Sequence, residues 1–212
     1  SFTHGCRSFN WQIMANEELF DINLYNDEFF EWHLKYAREY SIVTMDWLLK
    51  FIPFKSVVDF GCGIGSYLES AHDKNVKIKG YDIGGDFAKK YTPEHIQPFI
   101  EYLDCTKPMV TEKYDCVISF ETAEHIEPLG TDQFCDNLVN ALGEHGYLFF
   151  TGAPEGQDGC GHINCQSKAF WMLKFTERNL EFDAVITAVV FQEWKKLGAP
   201  NYICENLLVF KR

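Results

Sequence analysis

The glycine turn Gly61-Cys62-Gly63-Ile64-Gly65 constrains the fold of this 212-residue chain more than any other feature. A short apolar run with Asp59 near its end precedes the turn, and a helix-like segment follows it. Glycines permit positive φ angles and lack the Cβ atoms that keep a backbone away from a ligand. The N–H groups at the start of a helix favour a negatively charged ligand group. The sequence therefore predicts a strand-to-helix turn built for close approach of a ligand.

Two further acids stand at the ends of candidate strands. Asp82 ends an apolar run and lies 23 residues after Asp59, and Asp104 follows a third apolar run. Because ligands of open α/β folds bind at the carboxyl edge of the sheet, we expect these three acids to line one site. A dinucleotide motif would need glycine where Ser66 stands, so the glycine pattern by itself is also compatible with a plain tight turn.

The order of these motifs resembles that of class I S-adenosylmethionine-dependent methyltransferases, over roughly residues 56–212. The matching segments are Asp59-Phe60-Gly61-Cys62-Gly63-Ile64-Gly65, Gly80-Tyr81-Asp82-Ile83, Leu103-Asp104-Cys105, Tyr114-Asp115-Cys116-Val117-Ile118-Ser119-Phe120-Glu121 and Ala123-Glu124-His125-Ile126. The resemblance implies S-adenosyl-L-methionine as the cofactor and S-adenosylhomocysteine as its product.

The resemblance also implies a role for each motif. The turn would hold the methionine part of the cofactor, Asp82 the ribose hydroxyls, and Asp104 with Cys105 the adenine. Phe120 and Glu121 would close the site beside the methyl group. The implied cofactor-binding residues are Asp59, Gly61, Cys62, Gly63, Gly65, Asp82, Ile83, Asp104, Cys105, Phe120 and Glu121.

From Ser56 onward, strand-like and helix-like segments alternate, which is typical of a parallel sheet covered on both faces. We predict an α/β, Rossmann-like sheet of seven mostly parallel strands, and the resemblance implies an antiparallel last strand. The chain is predicted to be a single domain, with an N-terminal helical cap over residues 1–55 and a core over 56–212. The candidate strands are Ser56–Phe60, Lys77–Tyr81, Phe99–Tyr102, Tyr114–Phe120, Gly146–Thr151, Ala184–Phe191 and Asn206–Phe210.

Transfer of a methyl group to a hydroxyl requires an aligned acceptor and a base that removes its proton. The candidate catalytic residues are His125 with its neighbour Glu124, after the fourth strand, and His162 in the glycine-rich loop 153–166. Asn164 and Gln166 alternate with His162, so an extended loop would point all three toward an acceptor. The alternative is that both histidines and the loop amides only satisfy local backbone groups.

The loop resembles a subgroup of these enzymes with Gly-His-x-Asn-x-Gln before an aromatic-rich helix, several of which modify sugars or glycans. We therefore expect O-methylation of a small or carbohydrate hydroxyl. A looser resemblance is to methyltransferase domains of glycan-synthesis proteins in large DNA viruses of algae. Phenol, quinone-precursor or amine methylation and an inactive cofactor-binding scaffold are the alternatives.

Metal binding is left open but is not predicted. Cys160, His162 and Cys165 lack a second pair of ligands at zinc-finger spacing. A magnesium ion would need carboxylates such as Glu121, Glu124 and Asp158 to converge.

Charge and cysteine placement limit the partners. The net charge of −12 argues against nucleic acid and anionic membrane surfaces as partners, because both are bound through basic residues. Eight cysteines scattered through an α/β pattern are typical of reduced core residues, so we expect a cytoplasmic protein. No apolar run reaches the roughly 20 residues of a membrane span. The start at Ser1 suggests a domain of a longer chain.

Overall fold

The computed structural model describes residues 26–212. Helix α1 (Asp27–Trp32), a π-helical turn (His33–Ala37) and α2 (Arg38–Phe51) form one continuous helical segment. The side chain of Asn26 caps it by accepting the Phe29 N–H at 3.1 Å. The predicted N-terminal helical extension is therefore present, although its part before residue 26 lies outside the described residues.

Strands and helices alternate along the rest of the chain. The strands form one sheet in the order β3 (Ile100–Tyr102), β2 (Lys77–Asp82), β1 (Ser56–Phe60), β4 (Tyr114–Ser119), β5 (Leu142–Phe150), β7 (Leu208–Lys211) and β6 (Glu181–Phe182). Strands β1 to β5 pair in parallel, whereas β7 is antiparallel to both β5 and β6. The predicted sheet of seven mostly parallel strands with an antiparallel last strand is thus confirmed. In chain order the elements are β1 (Ser56–Phe60), α3 (Ser66–His72), β2 (Lys77–Asp82), α4 (Gly85–Tyr91), β3 (Ile100–Tyr102), β4 (Tyr114–Ser119), α5 (Thr131–Ala141), β5 (Leu142–Phe150), α6 (Lys168–Thr176), β6 (Glu181–Phe182), α7 (Ala184–Lys196), α8 (Asn201–Asn206) and β7 (Leu208–Lys211).

The two faces of the sheet bury separate hydrophobic cores. Val57 of β1 belongs to the core beneath α2, α3 and α7, whereas its neighbour Val58 belongs to the core beneath α5 and α6. This alternation follows from the two-residue period of a strand. The largest fully buried side chains, Trp194 of α7 and Trp171 of α6, lie on opposite faces. Helices cover both faces, as predicted.

One predicted strand is wrong. Residues 184–191 form the first two turns of helix α7, and the sixth strand is the two-residue segment Glu181–Phe182. The side chain of Asp183 caps the helix by accepting the Ile186 N–H at 2.9 Å. Val190 and Trp194, four residues apart, are both fully buried. Capping and packing therefore outweigh the strand preference of a segment rich in valine and isoleucine.

The described residues bear on two expectations about the environment of the chain. Cys62, Cys116, Cys135 and Cys204 are buried free thiols, in agreement with reduced core residues. No helix within residues 26–212 has the length and apolar character needed to cross a membrane.

The packing of the tight turn after β1 predicts that an alanine lowers the free energy of unfolding more at Gly61 than at a glycine with open space around it. Gly61 has φ +82°, and a Cβ there would overlap the side chain of Thr122; Gly156 has φ +86°, and a Cβ there would meet nothing within 4 Å. Positive φ alone costs an alanine about 1–2 kcal/mol, and overpacking adds about 1–3 kcal/mol. We expect Gly61→Ala to lower the free energy of unfolding in urea by at least about 1 kcal/mol more than Gly156→Ala. Equal losses would contradict this packing of the turn.

Candidate active site

The carboxyl ends of β1, β2 and β4 open into a cavity of about 630 Å³, which is within the usual size range of small-molecule sites. Most of the residues that the sequence motifs single out meet here. The predicted site residues that line the cavity are Asp59, Gly61, Cys62, Gly63, Asp82, Ile83, Asp104, Cys105, Phe120, Glu121 and His125. The topology thus brings motifs far apart in sequence to one edge of the sheet.

The glycine turn leaves space beside its backbone. Gly63 has φ +53° and lines the cavity, and a Cβ there would meet no atom within 4 Å. A ligand can therefore approach this backbone closely. Gly65 does not line the cavity; it caps helix α3 and faces the side chains of Ile96 and Ile100. Its predicted contact with the cofactor finds no support in this geometry.

The carboxylate of Asp82 holds two turns together. It accepts the N–H of Gly63 and the N–H of Gly84, each at 2.7 Å. Burial raises the pKa of Asp82, although these two hydrogen bonds lower it in part. Burial, followed by the charge of Asp82, raises the pKa of Asp59 well above its usual value. Two buried carboxyl groups on one wall favour a positively charged ligand, because a cation stabilises their ionised forms.

The adenine end predicted for the site contains Asp104 and Cys105. Asp104 accepts the N–H of Thr106 at 2.8 Å and its hydroxyl at 2.6 Å, which fixes the loop after β3. Burial, with a smaller effect from Asp82, raises the pKa of both the Cys105 and the Cys62 thiols. Both cysteines therefore remain thiols at neutral pH and act as apolar wall rather than as nucleophiles.

Glu121 adopts a left-handed backbone conformation directly after β4. Its φ is +49°, and such non-glycine residues cost about 1–3 kcal/mol and cluster at functional sites. Its N–H donates to the Thr151 hydroxyl at 2.8 Å. Its carboxylate accepts from the side-chain amides of Gln157 at 2.7 Å and Asn206 at 3.1 Å. These contacts fix Glu121 in the wall of the cavity.

His125, Glu124 and His162 come together beside the cavity, but only His125 lines it. The Nδ1–H of His125 donates to the Gly161 carbonyl at 3.1 Å, and that of His162 donates to the Gln157 carbonyl at 3.1 Å. The two imidazole rings are 5.0 Å apart and nearly perpendicular. The Glu124 carboxylate lies behind them, with Oε1 3.9 Å from Nε2 of His162.

Burial shifts the pKa values of two members of this group in the direction that favours their neutral forms. Burial, then the charge of Glu121, raises the pKa of Glu124 well above its usual value, although nearby backbone N–H groups lower it in part. Burial, then the proximity of His162, lowers the pKa of His125 to about 4. At neutral pH the imidazole of His125 is therefore uncharged and able to accept a proton.

The loop residues predicted to bind the acceptor have structural contacts instead. Asn164 is buried, donates to the Thr131 hydroxyl at 2.9 Å and accepts from the Gln166 amide at 3.0 Å. Its backbone N–H donates to the Glu124 carbonyl at 2.9 Å. Neither Asn164 nor Gln166 lines the cavity. The expectation that both side chains point toward an acceptor therefore finds no support, because the loop folds against the turn that carries Glu124.

The sequence motifs missed a wall of the cavity that comes from the helices. Phe29, Trp32 and His33 line it from α1 and the π-helical turn, Tyr40 from α2, and Tyr202 from α8. The Nδ1–H of His33 donates to the Phe29 carbonyl at 2.9 Å. A π-helical turn changes the direction of side chains along a helix, so regular helical periodicity could not assign His33. The density of aromatic residues there was the available signal.

The burial of His125 predicts a pH-dependent stability. Its folded pKa of about 4 lies below the unfolded value of about 6.5. The stabilisation from the neutral ring is complete above about pH 6.5 and is lost as the pH falls toward about 4, because the unfolded state binds the proton first. Between about pH 7.5 and about pH 5, we expect wild type to lose about 2 kcal/mol more unfolding free energy than His125→Gln, measured in urea. Equal losses would contradict the burial of His125.

A protein-family model described as a methyltransferase domain matches residues 32–179. A comparison with curated proteins finds none that matches the chain. Among solved structures, the chain is similar to a SAM-dependent methyltransferase from Archaeoglobus fulgidus, with 16% identity, a TM-score of 0.59, and coverage of 87% of this chain and 99% of that one.

Two other solved structures are similar over most of the chain. An O-methyltransferase of a Brevibacillus brevis polyketide synthase, in complex with S-adenosyl-L-homocysteine, has 17% identity, a TM-score of 0.56, and coverage of 94% of this chain and 80% of that one. A coclaurine N-methyltransferase bound to N-methylheliamine and S-adenosylhomocysteine has 15% identity, a TM-score of 0.55, and coverage of 81% and 70%. These similarities show a shared fold, and they give no support to the expected sugar-specific or viral subgroup.

The family match includes the glycine turn, the acids at the ends of β2 and β3, and the turn that carries His125. It extends over well over half of the 212 residues. The chain therefore belongs to this family of methyltransferase domains, and it is an S-adenosylmethionine-dependent methyltransferase.

Proposed function

We propose that the chain is an O-methyltransferase that acts on the hydroxyl group of a small, ring-shaped acceptor. The observation that carries this proposal is the cavity itself, which joins the cofactor motifs to a neutral histidine and to an aromatic wall. When bound, S-adenosylmethionine supplies a methyl group on a positively charged sulfur, which a nucleophile takes by direct displacement. The residues of the chain bind and orient both molecules and receive the proton of the acceptor.

The charge of the cavity supports binding of a cationic cofactor. Among residues 26–212, the charged side chains that line the cavity are several acids and one lysine, Lys107, besides histidines. Asp82 uses both carboxylate oxygens for backbone N–H groups, but each oxygen retains a lone pair for a ribose hydroxyl. The acids that line the cavity are Asp59, Asp82, Asp104, Glu121 and Glu127.

Removal of the acceptor proton is the role that the structure suggests for His125. Its hydrogen bond to Gly161 holds the ring with Nδ1 protonated, and a neutral imidazole can accept a proton. The carboxyl group of Glu124 and the imidazole of His162 lie behind it. A positive charge that forms on His125 would favour ionisation of Glu124, which would in turn stabilise that charge. An acceptor hydroxyl requires such help, whereas an amine requires less.

The aromatic wall favours a planar acceptor such as a phenol. The aromatic side chains of Phe29, Trp32 and Tyr40 line the cavity, whereas the loop amides that favoured a sugar lie outside it. A sugar is the second candidate, because the fixed carboxylate of Glu121 could accept hydrogen bonds from a diol. The fold neighbours include both O- and N-methyltransferases, so an amine acceptor is a direct alternative.

The charge and the cysteines of the chain support a class of acceptor and a cellular location. The acidic cavity and the net charge of −12 support a small molecule rather than a nucleic acid as acceptor. The buried free thiols of Cys62, Cys116, Cys135 and Cys204 support a cytoplasmic location. The chain is proposed to work as one domain, with the N-terminal helices covering the cofactor edge.

The cofactor placement is tested by the open space at Gly63. Gly63→Ala would place a methyl group in the cavity without touching the protein. We expect its affinity for S-adenosylhomocysteine, measured by calorimetry, to fall at least about tenfold, or about 1.4 kcal/mol. Gly156→Ala, which also has a positive φ and open space, is the matched control and should bind as wild type does. Unchanged affinity in Gly63→Ala would place the cofactor elsewhere.

The acceptor class is tested with labelled S-adenosylmethionine and a panel of phenols, sugar glycosides, amines and short RNAs. We expect label on a hydroxyl acceptor, and a loss of kcat of about 100-fold or more in His125→Gln. His95→Gln, a half-exposed histidine outside the cavity, is the control and should retain activity. Label only on amines or RNA, or full hydroxyl methylation by His125→Gln, would contradict the proposal.

A further inference from the structure

The buried carboxylate of Glu124 is the least satisfied polar group near the cavity. Glu124 is fully buried, and neither oxygen makes a hydrogen bond of ordinary geometry within the described residues. A carboxyl group in such a place costs several kcal/mol if it is ionised without a partner. Partners with suitable chemistry lie close by: one ligand atom from each of Glu124, His125 and His162 falls within 4.8 Å of the others.

The surroundings of the two histidines are those of metal ligands. The Nδ1–H of each ring is directed to a backbone carbonyl. In metal sites such an outer hydrogen bond fixes the tautomer and leaves Nε2 with the lone pair that coordinates. For His162 this nitrogen lies 3.9 Å from Oε1 of Glu124. Two ligands that each sit about 2.1 Å from one ion are about 3–4 Å apart, so the observed separation is close to the required one.

We propose that Glu124, His125 and His162 bind a divalent first-row transition metal ion. Two imidazoles and one carboxylate suit zinc, cobalt, iron or manganese better than magnesium or calcium, which prefer oxygen ligands. Three protein ligands leave coordination positions for water or a substrate oxygen. His125 lines the cavity, so those positions are accessible from it.

A second group of candidate ligands serves as an internal comparison. His72, Asp73 and His95 also bring their ligand atoms within 4.8 Å of one another. Their side chains are 35%, 63% and 49% exposed, so water can satisfy them without an ion. The carboxyl group of Glu124 is fully buried and has no such access to water, and this difference predicts which group binds an ion more tightly.

A bound metal ion would also affect how the acceptor hydroxyl loses its proton, an effect that rests on the proposed function. In the metal-free protein the imidazole of His125 accepts the proton of the acceptor. With the ion bound, His125 would be a ligand, and a hydroxyl that coordinated the ion would release its proton to water more easily, because the ion would stabilise the alkoxide. Binding of the ion itself requires neither cofactor nor acceptor and is tested separately.

The test is a titration of the metal-stripped chain with Co²⁺, followed by calorimetry and by the visible absorption of the bound ion. We expect one tight equivalent in wild type. Glu124→Gln and His162→Gln should each weaken it at least about tenfold. His95→Gln should retain it. Thermal unfolding gives a second readout: Co²⁺ should raise the Tm of wild type and of His95→Gln, but not that of Glu124→Gln.

Each result of the Co²⁺ titration either supports or overturns the proposed metal site. Loss of the tight equivalent in His95→Gln with retention in Glu124→Gln would assign the ion to the surface group and overturn the proposal. Absence of saturable binding in wild type would also overturn it. If Glu124→Gln fails to fold, His162→Gln decides. Tight binding with no methylation of any hydroxyl would leave the metal site standing and refute the proposed function alone.

Discussion

The carboxylate of Asp82 is the contact on which the site depends. It accepts an N–H from Gly63 in the turn after β1 and another from Gly84 in the turn after β2. One side chain therefore fixes the relative position of two backbone turns that the parallel pairing of β1 and β2 brings to the same edge. This arrangement fixes the glycine wall of the cavity and one of its acids.

The same region concentrates features that do not favour stability. Asp59 and Glu124 are buried carboxyl groups with raised pKa values, and Glu121 has a positive φ. Selection for stability alone would replace these two buried acids and the residue with positive φ. Their presence in and beside one cavity is explained if bound molecules compensate them: a cationic cofactor at Asp59 and Asp82, and a metal ion at Glu124.

The sequence predicted the parts of the molecule that depend on local pattern and strand order. Asp59, Gly63 and Asp82 meet because strand ends converge in any parallel sheet, so their motif positions were sufficient. Helix α7 was missed because the cap at Asp183 and the burial of Trp194 outweigh the strand preference of its first residues. Tertiary packing of this kind cannot be read from composition.

The contacts of the loop 153–166 and the position of His33 also depend on tertiary structure, so the sequence pattern did not predict them. The alternation of polar residues in the loop 153–166 suggested that the side chains of Asn164 and Gln166 face an acceptor. In the structure, the backbone N–H of Asn164 donates to the Glu124 carbonyl, and the side-chain amides of Asn164 and Gln166 hydrogen-bond to each other. His33 lines the cavity from a π-helical turn, and no periodic pattern in the sequence indicates such a turn. His125 was found because it lies in the turn that follows β4, at the same edge of the sheet as the acids.

The most direct test of the account is a crystal structure of the chain with S-adenosylhomocysteine. We expect the ribose hydroxyls on Asp82, the methionine part along the glycine turn at Gly63, and the sulfur facing the wall formed by Phe120, Glu121 and His125. A cofactor in the reversed orientation, with adenine beside His125, or one bound outside this cavity, would contradict the account.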